Sequence, residues 1–175
     1  MATGPTYVVN HRRRRKAKTD YKSRLNLMKS EKPRLIVRRS IKHTVAQVMS
    51  YSPEGDKVIA QASTSDIVKD GWTHATANIP SAYLVGLLVA PRAKAANTVE
   101  VVADLGMQSL VKGGRLYAVL KGAKDGGLVF PVDEAVFPKE DRLTGAHIAS
   151  FNKKSAKIVS DVEKFKAKIT KKKDD

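Results

Sequence analysis

Six basic side chains fall within residues 12–18, in the run HRRRRKAK: Arg12, Arg13, Arg14, Arg15, Lys16 and Lys18. Arginine presents a planar fork of donors that grips a phosphate through two hydrogen bonds and stacks on bases, so four in succession point to phosphate chemistry. The series continues through Lys22, Arg24, Lys29, Lys32, Arg34, Arg38, Arg39 and Lys42. A short targeting tag does not account for a track of that length, whereas a polyanion-binding surface does. Within it, Tyr21 could stack on an exposed base or pack beside Leu25. His43 could meet a phosphate or base, or stand as an ordinary strand-edge residue.

Little in the sequence favours catalysis. There is no G-x-x-x-x-G-K-[ST], no G-x-G-x-x-G and no G-x-S-x-G. The absence of cysteine excludes a thiol nucleophile, a disulfide scaffold and a Cys-ligated zinc site. His11, His43, His74 and His147 are scattered, with no pair at helical ligand spacing. Asp104 ends an apolar stretch, where α/β active sites often lie. A metal-dependent nuclease would need further carboxylates there, drawn from Asp66, Asp70, Glu100 and Asp125, and no spacing selects them. The plainer expectation is a carboxylate accepting backbone or arginine hydrogen bonds. No catalytic residue, metal ligand or cofactor is therefore assigned.

The elements that must position the basic residues can be read from pattern. In a chain of 175 residues, the net charge of +16 divides into +12 over residues 1–42, −1 over 43–150 and +5 over 151–175. Self-repulsion should keep the arm extended or disordered until an anion neutralises it. Thr19 can cap a short helix over 20–29, with Tyr21, Leu25 and Met28 as its stripe. PRLIVRRS reads as a strand with Arg34 and Arg38 on one side. Residues 43–51 and 57–64 complete an antiparallel meander. Asn78 and Pro80 open a helix to about residue 96, which Pro91 should kink or end. TVEVVADLG reads as a central strand covered on both faces. Gly113-Gly114 opens a second helix with Leu116, Val119, Leu120 and Ala123 inward, and 128–132 reads as a last strand. Residues 141–151 should be helical. Ile158, Val162, Phe165 and Ile169 form the stripe of a tail helix, closed by Lys171 to Lys173.

The result is an α/β fold, a mixed β-sheet with packed helices, divided into a basic arm (1–32), a body (33–140) and a helical basic extension (141–175). The apolar run 82–90 is too short to span a bilayer, and no signal peptide is evident. No groove-reading DNA motif appears. An arm that orders on structured RNA fits the pattern at least as well.

Several segments resemble a known family. KPRLIVRRSIKHTVAQV, IAQAST, YLVGLLVAPRAKAANTVEVVADLG and GGRLYAVLKGAKDGGLVFP occur in its order and spacing, across most of residues 32–132. They resemble the universal large-subunit ribosomal protein that binds 5S ribosomal RNA. TDYKSRL and RLTGAHIASF are similar to its archaeal and eukaryotic branch. Ile41 departs from the pattern, which usually has Asn there. The resemblance implies an RNase H-like (ribosomal translation-component) arrangement and a non-catalytic role joining 5S RNA to the 23S-type large-subunit RNA in the central protuberance. It also implies a cytoplasmic, ribosome-bound protein beside other large-subunit proteins, away from membranes and not an independent homo-oligomer. Carried over by position, the RNA-facing residues are Arg12, Arg13, Arg14, Arg15, Lys16, Lys18, Tyr21, Arg24, Arg34, Arg38, Lys42 and His43. Lys112 and Arg115 flank a helix amino end suited to phosphate. Arg142 and His147 match the branch-specific motif, and the resemblance implies that they touch RNA or brace the extension.

Overall fold

RLIVRR alternates Arg34, Ile36 and Arg38 with Leu35, Val37 and Arg39, and its branched residues favour extended backbone. It forms β1 (Arg34–Arg39). The computed structural model describes residues 4–152 and 155–171. β2 (Thr44–Ser50) and β3 (Lys57–Ser63) follow as the expected antiparallel meander, placing Leu35 opposite Val48 and Ala46 opposite both Val37 and Ala62. β4 (Val102–Asp104) lies parallel to β1, giving the order β3-β2-β1-β4. The sheet is mixed and carries packed helices, an α/β architecture compatible with an RNase H-like arrangement.

β4 departs from the central strand expected of TVEVVADLG. Only three residues pair with β1, and β4 is an edge of the four-stranded sheet. The apolar run is shared between two neighbours at different heights. Residues 102–104 bond to β1, while Val101 and Val99 exchange backbone hydrogen bonds with Val129. The expected strand at 128–132 thus shrinks to one parallel bridge between Glu100 and Val129.

The arm contains a helical turn, α1 (Arg12–Arg15), rather than purely extended chain, and buries no residue. α2 (Tyr21–Met28) is capped by Asp20, not Thr19. The Asp20 carboxylate accepts from the amides of Lys22 and Ser23, and Thr19 accepts from Arg13 Nε. The Tyr21–Leu25 stripe stays largely exposed. A short helix that the sequence reading did not foresee, α3 (Thr64–Lys69), follows β3 directly. Its signal is Ser63-x-x-Asp66, a capping box.

α4 (Ile79–Ala95) is capped by Asn78 as expected and is buried on nearly every side between the sheet and other helices. It runs on past Pro91. Arg92 holds the last turn by bonding the Gln61 carbonyl and Asp66, and Ala93 is buried. α5 (Arg115–Asp125) packs its predicted face against α4. Gly86 and Gly122 permit that crossing, because a Cβ on either would enter the other helix's backbone.

The carboxyl segment forms α6 (Glu140–Thr144) and α7 (Ala146–Phe151), parted at Gly145, then α8 (Ile158–Lys171). The tail stripe packs on the body: Ile158, Val162 and Ile169 are buried, and Phe165 meets Trp72 edge-on at 5.5 Å. His74 Nε2 donates to Asp161 Oδ2 across 2.9 Å. Lys172 and Lys173 lie outside the described residues. No helix among the described residues is long and apolar enough to cross a membrane.

Candidate nucleic-acid interface

Alternation on β1 sends Leu35 and Val37 into the helix-covered core and Arg34, Ile36 and Arg38 to the opposite face. Ile36 is in register with Asp104 at the end of β4. Between this face and α2 runs an open groove of about 840 Å³, with Arg13, Lys18, Arg24 and Arg38 among its lining residues.

Two carboxylates organise the groove floor. Asp56, in the β2–β3 turn, accepts from Arg24 Nη2 at 2.8 Å and Arg34 Nη2 at 2.6 Å. Asp104 accepts from Arg34 Nη1 at 3.3 Å, Arg38 Nη2 at 3.1 Å and the Gly106 amide at 2.9 Å. Arg34 is only 3% exposed and is committed to both carboxylates. The structure therefore places this expected RNA-facing residue beneath the surface. A buried guanidinium must be paired, and here the pairing ties β1 to β4 and to the β2–β3 turn. Through Arg24, α2 is tied to the same network.

The arm cations Arg12, Arg13, Arg14, Arg15, Lys16 and Lys18 are all exposed. Tyr21 is also exposed, its ring 5.5 Å from that of His11. A second basic group collects at the far end of β1. Arg39 bonds Gln108 and Ser109, and Arg115 Nη1 reaches the Ser40 carbonyl at 3.3 Å. Partial burial, with Arg39 alongside, lowers the Arg115 pKa from its ordinary value. Lys42 and Lys112 are exposed there, and His43 Nδ1 bonds Thr64 Oγ1 at 3.0 Å. Ile41, in the turn between β1 and β2, is 90% exposed. Arg142 and His147 stand apart on α6 and α7, with His147 Nδ1 donating to the Asp141 carbonyl.

The carboxylates weighed as nuclease companions to Asp104 are dispersed. Asp66 pairs with Arg92, Glu100 with Lys32, and Asp125 with Lys121 and Tyr83. The Tyr83 hydroxyl, desolvated and donating to Asp125, has its pKa pushed up. Among the described residues no three His, Asp or Glu side chains converge on a metal-sized site. Sequence reasoning missed Asp56 as an organising residue. A face carrying two arginines signals that acids must lie opposite, without saying which.

A near-neutral α/β body whose cations gather on an arm, a groove and one end of the sheet defines a polyanion-binding class of protein. The comparisons with known proteins make the class specific. The family model for ribosomal large subunit proteins 60S L5 and 50S L18 matches residues 5–101. The large ribosomal subunit protein uL18 of Methanoregula boonei is 46% identical over 171 residues, covering 98% of both chains. That of Haloarcula marismortui is 47% identical over 152 residues, 87% of this chain and 81% of the relative. That of Caldivirga maquilingensis is 49% identical over 152 residues, 86% of this chain and 73% of the relative. The chain belongs to this ribosomal large-subunit family.

Proposed function

We propose that the protein is a structural constituent of the large ribosomal subunit that binds 5S ribosomal RNA and helps attach it to the large-subunit RNA in the central protuberance. The observation that carries this reading is the continuity of exposed cations. They run from the α1–α2 arm through the groove to the end of β1, on a body that is otherwise near neutral. Phosphates along a folded RNA can be met simultaneously by such a track, and counterion release supplies the affinity. Family membership supports the large-subunit role, and the exposed cations support a polyanionic partner, as a ribosomal RNA is. On the arm, the contact residues of this reading are Arg12, Arg13, Arg14, Arg15, Lys16 and Lys18. Tyr21, Arg24, Arg38, Lys42, His43, Lys112 and Arg115 extend the contact over the body, with Arg142 and His147 touching RNA or bracing the extension. Arg34 acts from below by fixing the strand.

The nuclease alternative has no observation in its favour, because Asp104 is engaged by two arginines. The test is cosedimentation with large ribosomal subunits, with crosslinking to 5S RNA. Crosslinks from the arm and the 106–115 loop are expected. A protein that stays with free fractions, or cleaves RNA with magnesium and loses that activity on Asp104→Asn, would overturn the reading.

A further inference from the structure

Arg38 differs from the arm arginines in being held by several hydrogen bonds before any ligand arrives, where Arg13 makes one, to Thr19. Of the five donors on a guanidinium, three are engaged. Nη1 donates to the Val37 carbonyl and to the Asp104 carbonyl, each at 2.9 Å, and Nη2 donates to Asp104 Oδ1 at 3.1 Å. Nε–H and the second Nη2–H make no hydrogen bond to the described residues, and the side chain is 45% exposed. Those two donors form the side-on edge of the fork, the geometry that takes two oxygens of one phosphate.

The neighbouring backbone is shaped to the same end. Gly106 has φ +62°, and a Cβ there would fall 2.9, 3.0 and 3.1 Å from Cζ, Nη2 and Nη1 of Arg38. Near-equal distances to three atoms put that point over the face of the guanidinium, so only glycine lets the plane lie against the loop. The same loop returns the Gly106 amide to Asp104 Oδ1. Charge leaves the edge unsatisfied: among the described residues Arg24, Arg34 and Arg38 pair only with Asp56 and Asp104, and Arg34 is the buried member.

We propose that Asp104 and Gly106 are positioning residues that hold Arg38 with its Nε/Nη2 edge free to take one RNA phosphodiester in the groove beneath α2. The proposal rests on the RNA-binding reading and assigns the strand-end carboxylate a part in it. A guanidinium already fixed loses little rotamer freedom on binding, so this contact anchors the register of the RNA while the arm closes over it.

The test titrates 5S ribosomal RNA against the wild-type protein, Arg38→Ala, Gly106→Ala and the double variant across a salt series, with melting temperatures recorded alongside. Gly106→Ala leaves every charge in place and displaces the guanidinium, and at φ +62° it also strains the loop, which the melting temperatures record. Each single variant is expected to weaken binding about tenfold and to lower the salt slope by about one. The double variant should be no weaker than Arg38→Ala. Arg38 is partly exposed, so its replacement keeps the test decisive if Gly106→Ala perturbs folding. Unchanged affinity and slope in Arg38→Ala, beside a wild type that binds steeply, would overturn the proposal and spare the RNA reading. Lost affinity at unchanged slope would overturn it in favour of a base-edge contact. Failure of the wild type to bind would overturn the RNA reading and this proposal together.

Discussion

Arg34 and Arg38 occupy the same face of one strand, four residues apart, and do different work because of what lies beside them. Arg34 meets Asp56 and Asp104 from 22 and 70 residues away, and is buried by that pairing. Removing one member of a buried ion network strands the others, at a cost of about 3–5 kcal/mol. Arg34→Ala should therefore lower unfolding free energy by about 3 kcal/mol or more in denaturant titration; a loss below about 1 kcal/mol would contradict the structural role. The even spacing of the two arginines is legible in the sequence. Their division into one buried and one half-exposed residue is not, since it depends on acids from a distant turn and strand.

At the level of elements, local pattern carries the meander, α4, α5 and α8 closely, because period and caps agree there: Asn78 before α4, Gly114 before α5, and the stripe Ile158, Val162, Phe165, Ile169 along α8. β4 was less legible. An apolar run shows that residues are covered without showing which neighbour bonds each part. The partner of α8 was also hidden, since a stripe specifies a buried face and not what buries it. The docking contact has a titratable element. The hydrogen bond from His74, with a smaller contribution from Lys164, outweighs desolvation and lowers the Asp161 pKa from 3.8. A lowered carboxylate pKa gives stability that is complete above the unfolded value and is lost as pH falls through the folded one. Trp72, the one tryptophan in the chain, touches both His74 and Phe165 and reports on this contact. Its emission should shift as pH falls below about 4, with a smaller shift over that range in Asp161→Asn. An Asp161→Asn profile identical to the wild type would remove Asp161 from the docking of α8.

Across the whole molecule, the charge of +16 belongs to the ends and the body is near neutral. The fold turns that linear asymmetry into a surface by tying α2 to the sheet through Arg24 and Asp56, so arm cations and Arg38 line one groove. Segregation of charge was visible in the sequence; the groove was not, because its walls come from segments far apart in the chain. The central claim is that this arm supplies phosphate contacts to RNA. It is tested most directly by measuring 5S RNA affinity of the full chain and of a chain lacking residues 1–19 between 50 and 200 mM salt. With about six phosphate contacts, the full chain should lose about a thousandfold in affinity over that range. The shortened chain should bind more weakly and with a flatter slope. Equal affinity and equal slope for the two would contradict the account.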